Sequence, residues 1–156
     1  MPRAEGRRPR RGVVDTSVLV AGISAFRDEP LNLQNASARL LRGWVERRTF
    51  TWLVSVDILD EYRDVLRRLK VRRATVGRVV NLLAEAAEAV RVGPSRELSP
   101  DPDDEPFCAC AEDGGADFIV TLNPRDFPAD RLRVRIIAPG DPLPGPRRPP
   151  RGRTLR

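Results

Sequence analysis

The residues of this chain that could do chemistry are carboxylates, and the first to stand out is Asp15, in the run Val13-Val14-Asp15-Thr16-Ser17-Val18-Leu19-Val20. An apolar pair leading into an acid suits a short buried strand that delivers the acid at its C-terminal end. That is the edge of an open α/β sheet where ligands bind. The densest acidic patch is Asp101-Pro102-Asp103-Asp104-Glu105, just ahead of an expected helix. Acids are favourable at a helix N-terminus, which accounts for one or two of these residues. Four so close repel one another unless solvent or a cation offsets them. Glu61, and Asn123 with Asp126 after a later apolar run, add further hard oxygen donors. The chain has no histidine. If Asp15, Glu61, one or two of Asp101, Asp103 and Asp104, and Asn123 or Asp126 converge, they suit Mg²⁺ or Mn²⁺ rather than zinc. Such ions beside a nucleic-acid surface activate water, orient a scissile phosphate and offset charge on the leaving oxygen. The competing account is a scatter of helix caps and solvated acids, and only convergence in space separates the two.

The elements that must position these groups alternate. A strand is expected over 12–15, then a helix over 17–25 that Thr16 or Ser17 caps, and a loop from Phe26 to Pro30. A second helix, capped by Asn32 or Asn35, runs to about Arg48. Thr49 to Val54, aromatic and β-branched, reads as a strand. Ser55 caps a helix to about Lys70, whose apolar stripe is Ile58, Leu59, Tyr62, Val65, Leu66 and Leu69. Glu61 falls at the edge of that stripe, whereas Asp60 and Asp64 point further out, so Glu61 is the acid that looks back toward the body. A helix over 74–89, a short strand near 90–92 and a proline-rich loop follow. Pro106 opens a helix that Gly114-Gly115 ends. Asp117 to Thr121 is a strand, Asn123 to Phe127 a turn or short helix, and 134–138 a last strand. Short apolar strands alternating with helices predict an α/β fold, a three-layer α/β/α sandwich with a mostly parallel central sheet.

The net charge of +6 is unevenly placed. Residues 1–12 hold five arginines and one glutamate (+4), residues 142–156 hold five arginines and no acid (+5), so residues 13–141 carry 6 − 9 = −3. The expected organisation is a basic disordered tail over 1–11, one domain over 12–140, and an Arg/Pro-rich disordered tail over 141–156. Such tails could hold a nucleic-acid backbone or simply solubilise the chain. Cys108 and Cys110, the only cysteines, sit two apart in an expected helix and face different ways. They read as core residues in a reducing compartment, and a cytoplasmic protein is expected. No stretch approaches the ~18 apolar residues that cross a membrane.

Several other residues have two readings. Thr16 and Ser17 either support Asp15 and a metal's hydration or cap a helix. Thr121 either places a phosphate or bonds Asp15, or is an ordinary strand-end hydroxyl. Asp126 either makes up for a missing acid or caps the Phe127 turn. Trp44 and Trp52 could stack bases, but they stand in apolar patterns that suit a core. Tyr62 lies mid-stripe and reads as core as well. Arg67-Arg68-Lys70-Arg72-Arg73 could form a phosphate-binding edge or a plain polar face.

In order and spacing, residues 12–139 resemble PIN-domain nucleases, in particular the small bacterial toxin components of toxin–antitoxin systems (VapC-like). The resemblance rests on Val14-Asp15-Thr16-Ser17-Val18-Leu19-Val20. It continues in Ser55-Val56-Asp57-Ile58-Leu59-Asp60-Glu61-Tyr62-Arg63-Asp64-Val65-Leu66, and in Asp101-Pro102-Asp103-Asp104-Glu105-Pro106-Phe107 through Gly114-Gly115-Ala116-Asp117-Phe118-Ile119-Val120-Thr121. It implies a metal-dependent endoribonuclease in which Asp15, Glu61 and Asp104 are catalytic and hold Mg²⁺ or Mn²⁺, with Asp104 the principal ligand. Asp101 and Asn123 would complete the shell, supported by Thr16, Ser17, Thr121 and Asp126. It also implies RNA as substrate, a cognate antitoxin protein and a homodimer. One departure matters: the family commonly reads Thr-Gly-Asp after the late strand, and this chain reads Thr121-Leu122-Asn123. The substitution removes one negative charge from the second metal position. Two rivals remain. A phosphatase of the haloacid-dehalogenase kind would use Asp15 as nucleophile, but needs a second carboxylate two residues on, where Ser17 stands. A catalytically weak PIN-like interaction domain would keep the fold without the reaction.

Overall fold

The computed structural model describes residues 8–27 and 35–146. The expectations of disorder for residues 1–7 and 147–156, and of a cap at Asn32, lie outside them. The sheet has five parallel strands in the order β3-β2-β1-β4-β5, namely β1 (Arg11–Val14), β2 (Thr51–Val54), β3 (Glu88–Ala89), β4 (Phe118–Val120) and β5 (Arg135–Ile137). Five helices fill the crossovers and build the α/β/α sandwich: α1 (Thr16–Arg27), α2 (Ala36–Arg47), α3 (Val56–Arg68), α4 (Arg73–Ala86) and α5 (Glu105–Asp113). Parallel strands need such crossovers, and helices over both faces explain why the central strands are apolar throughout.

β1 lies at the centre, paired with β2 on one side and β4 on the other. The chain winds outward from β1 through β2 to β3, then returns past β1 to β4 and β5. The strand order therefore reverses between β1 and β4, and the crevice beyond their C-terminal ends is where such sheets bind ligands. The tight β1–β4 approach depends on Gly12, since a Cβ there would sit 2.2 Å from the Phe118 ring. Val13, Val14, Leu53, Phe118, Ile119 and Val120 are fully buried and join Trp44, Trp52, Tyr62 and Phe107 in one core. Trp44 meets Trp52 edge-on with ring centroids 4.9 Å apart. Core packing is thus the role of both tryptophans, and Cys108 and Cys110 are buried free thiols in the same core.

Caps set the helix starts that matter. Asn35 accepts a hydrogen bond from Ala38 N, and the Ser55 hydroxyl accepts one from Ile58 N at 3.2 Å. At the C-terminal end of α5, Gly114 closes the helix and Gly115 adopts φ +63, a left-handed conformation natural to glycine. Three expectations shift. The strand expected near 90–92 forms instead at Glu88–Ala89, paired with Leu53 and Val54, and Val90 N continues it with a bond to Val54 O. Leu69, assigned to the buried stripe of α3, lies just past the helix end and is exposed. Arg8 to Arg11, counted with the N-terminal tail, are held to the body. Arg11 opens β1, and Arg8 pairs through both terminal nitrogens with the fully buried Asp117. Asp117 also accepts from Arg11 N at 2.9 Å.

Candidate active site at the C-terminal edge of the sheet

Asp15 follows β1 directly, at the switch point between β1 and β4. Its backbone N–H donates to Val120 O, which continues the β1–β4 ladder one residue beyond the strand. Tyr62, fully buried on α3, donates its hydroxyl to Val14 O. A core tyrosine from another element thus anchors the peptide next to the acid. The carboxylate of Asp15 is itself held on one side only. Oδ2 accepts from Ser17 Oγ at 2.7 Å and from the fully buried Thr121 Oγ1 at 2.8 Å. Among the described residues Oδ1 accepts no hydrogen bond, and it is not sealed from solvent. The side chain is therefore oriented with one oxygen left open to a ligand.

These bonds show where the hydroxyls of Ser17 and Thr121 go. Ser17 spends its hydroxyl on Asp15 and on the N–H of Leu122, not on a helix cap. Thr121 bonds Asp15 and accepts from Asn123 N at 3.1 Å, linking the loop after β4 to the acid beside it. Thr16 is the first residue of α1 and neither caps it nor bonds Asp15. Its buried hydroxyl makes no well-formed hydrogen bond. It lies close enough to Glu61, however, to favour the charged form of that residue slightly.

Glu61 comes from the second turn of α3 and is half-buried, as its place at the edge of the apolar stripe requires, whereas Asp60 is exposed. Burial, then the charge of Asp15, and then those of Asp103 and Asp104 push its pKa from the ordinary 4.5 to about 7, against the Thr16 contact. Asp104 stands at the N-cap of α5. Burial, then Asp15, Asp101, Asp126 and Asp103 raise it from 3.8 to about 6. Charges interact this strongly only at short range. The charge of Asp15 therefore reaches both Glu61 and Asp104, and that of Asp104 reaches Glu61, so acids from three separate elements share one neighbourhood.

The acidic run divides its labour. Glu105 turns back and accepts from Leu98 N and Ser99 N, fastening the loop ahead of α5. Asp101 accepts from Asp103 N at 2.9 Å and so shapes the turn. Asp104 occupies the cap position yet makes no capping hydrogen bond. Helix capping therefore fails to explain the one acid of the run that faces Asp15. Asp103, which the family pattern passes over, bears on both Glu61 and Asp104. Asn123 precedes a single 3-10 turn over Pro124–Asp126 and Asp126 ends it, and both are exposed. The Asp126 carboxylate makes no capping hydrogen bond among the described residues, and its charge reaches Asp104 instead. The cap favoured for it from sequence does not form.

The donors of the site bear on whether it suits a cation. All are hard oxygens, two are acids whose proton affinity is raised by burial and then by neighbouring charges, Asp15 keeps an open oxygen, and the buried Thr16 hydroxyl lacks a partner. Among the described residues no group of three or more acidic or cysteine side chains is already arranged so that it could hold a metal ion. Mutual repulsion opposes such an arrangement without a counter-charge. The residues fit a divalent ion in kind. Ser17, with its hydroxyl on Asp15, offers no second carboxylate for a phosphatase that uses Asp15 as nucleophile.

A parallel α/β domain that gathers acids at its switch point, with no histidine or exposed thiol, has the layout of a nuclease-type fold. Residues 11–125 match the family model described as PIN domain, and the chain belongs to that family. Among curated proteins none matches the chain. No helix among the described residues is long and apolar enough to cross a membrane.

Proposed function

We propose that this PIN-domain protein is a divalent-metal-dependent endoribonuclease that hydrolyses RNA phosphodiester bonds, and that it serves as the toxin of a toxin–antitoxin pair. The observation that carries the catalytic reading is the approach of Glu61 and Asp104 to Asp15, with two of the three acids destabilised in their charged form. Such unspent, mutually opposed carboxylates cost stability and are a mark of functional sites. The role of toxin and the RNA substrate rest on the sequence resemblance to small bacterial toxin components.

In this reading Asp15, Glu61 and Asp104 hold the ion, and Asp101 and Asn123 complete its surroundings. A bound Mg²⁺ or Mn²⁺ supplies Lewis acidity and a water nucleophile. The protein's part is placement. Ser17 and Thr121 fix Asp15, Tyr62 fixes the peptide ahead of it, and Glu105 fixes the loop that presents Asp104. Glu61, raised to about 7, would hold a bound ion as its carboxylate and carries a proton near neutrality without one. The antitoxin would block this cleft, and a homodimer would pack the faces of α3 and α4. Asn123 in place of an acid favours a second reading, a catalytically weak interaction domain.

A labelled RNA pool incubated with Mg²⁺, Mn²⁺ or EDTA, with wild type and Asp15→Asn compared, decides between them. Metal-dependent cuts lost in the variant support the nuclease. Absence of cutting by monodisperse protein in either metal, together with no calorimetric metal binding, moves the reading to the interaction domain.

A further inference from the structure

We infer that a second site, away from the acids, binds the phosphate backbone of single-stranded RNA in a cleft beside α2. This inference takes RNA as the ligand from the function proposed above, but its geometry is independent of the acidic site. The cleft encloses about 210 Å³ between α2 and the segment after β5, and is lined by Arg39, Leu40, Gly43, Arg47, Thr49 and Gly140 among others. Arg39, Gly43 and Arg47 are spaced by four residues and so share one face of the helix. The missing side chain at Gly43 makes the dip between the two arginines. Two donors converge on it. A Cβ built at Gly43 would lie 3.6 Å from Arg47 Nη2 and 3.7 Å from Thr49 Oγ1. A guanidinium and a hydroxyl thus flank the space that glycine leaves open. Arg39 and Arg47 are exposed, and Arg47 forms no ion pair among the described residues.

The ligand follows from charge and size. Small-molecule and cofactor pockets run to ~300–1,000 Å³, so this cleft is small for a nucleotide cofactor but has room for a phosphate and part of its sugar. Arg47 reaches back to Gly43 and Arg39 stands one turn further along the same face, so positive charge extends along the cleft, which suits a chain of anions. Leu143 forms part of the cleft wall, and the residues after it, 144–156, with five arginines and no acid, bring no negative charge to these arginines. Thr49 lies just ahead of β2, at the sheet edge opposite Asp15. Backbone held there would give a strand a hold apart from the acidic crevice, which itself repels phosphate.

The test uses labelled poly-U and the full chain in EDTA, so that binding is read without cleavage. Arg47→Ala should weaken binding about tenfold and reduce the log–log salt slope by about 0.7, the loss of one phosphate contact on a single strand. Gly43→Ala separates binding from folding. Its methyl would meet Thr49 Cγ2 at 3.4 Å, an ordinary contact, and alanine favours the helix. It should hold or raise the melting temperature and still weaken RNA binding by filling the cradle. Wild-type affinity and salt slope in both variants overturn the inference, as does displacement of the RNA by poly-glutamate as readily as by unlabelled poly-U. A chain that cleaves RNA in Mn²⁺ but binds it without regard to Arg47 and Gly43 keeps the nuclease and loses the cleft. A chain that binds through the cleft and never cleaves does the reverse.

Discussion

Without metal the protein should lose stability as pH rises from 5 to 8, and Glu61→Gln should remove much of that loss. Glu61 goes from 4.5 unfolded to about 7 folded, and Asp104 from 3.8 to about 6. Both folded values are raised, so the folded state binds protons more tightly than the unfolded one. The stabilisation of the protonated form is fully present below the unfolded values and is lost as pH rises through the folded ones. At about 1.4 kcal/mol for each tenfold change in proton affinity, the gap at Glu61 has a ceiling of about 3 kcal/mol. The side chain is only half-buried, and solvent screening brings the expected effect to about 1–2 kcal/mol. Asp104 adds less than its own full value, because the two acids share the same opposing charges.

The window is clean. The chain has no histidine, and Asp113, lowered from 3.8 chiefly by the backbone N–H of Gly93, affects stability only in more acidic solution. Urea unfolding in EDTA, followed by the fluorescence of the buried Trp44 and Trp52, gives the free energy at pH 5 and pH 8. Wild type should be about 1–2 kcal/mol less stable at pH 8, and Glu61→Gln should exceed wild type there by a similar amount. Mn²⁺ at pH 8 should stabilise wild type in proportion to RT ln(1 + [L]/Kd) and the variant much less. A flat wild-type profile from pH 5 to 8, with a variant no more stable at pH 8, would refute the claim that these acids crowd one another.

Thr121→Val keeps the shape of a fully buried side chain but removes the hydroxyl on Asp15, and urea titration should show a loss of about 2 kcal/mol with reduced metal-dependent cleavage. Tyr62→Phe leaves Val14 O without its side-chain donor, and should cost about 1 kcal/mol in the same titration with the far-ultraviolet spectrum unchanged. Asn123→Asp restores an acid at the rim, so calorimetry should find tighter Mn²⁺ binding or a second equivalent, while the metal-free variant melts lower than wild type. Unchanged Mn²⁺ binding in that variant would place residue 123 outside the metal's surroundings.

What could be read from the sequence was what local chemistry dictates. Ser55 and Asn35 announce caps because a serine or asparagine ahead of an apolar pattern has an N–H to satisfy. The orientation of Glu61 follows from its angle on the helix. The core roles of Trp44, Trp52 and Tyr62 follow from the apolar runs around them. What could not be read was set by partners distant in the chain. Nothing near Asp117 foretells that it anchors Arg8 and the start of β1, and nothing near Thr16 foretells that its hydroxyl is buried without a partner. The two-residue β3 carries no apolar signal, since both its residues are exposed and it forms only where β2 has backbone left to pair. The acidic run shows the limit most sharply. Residue type alone makes Asp101, Asp103, Asp104 and Glu105 equivalent. The structure separates them by what each already bonds: Glu105 ties the loop, Asp101 shapes the turn, and Asp104 is left without a capping bond, facing Asp15. A carboxylate that a fold leaves unspent, half-buried and raised in pKa by its neighbours has no structural return, and that asymmetry within one short run is the strongest local argument that the crevice at β1 and β4 is kept for a ligand of opposite charge.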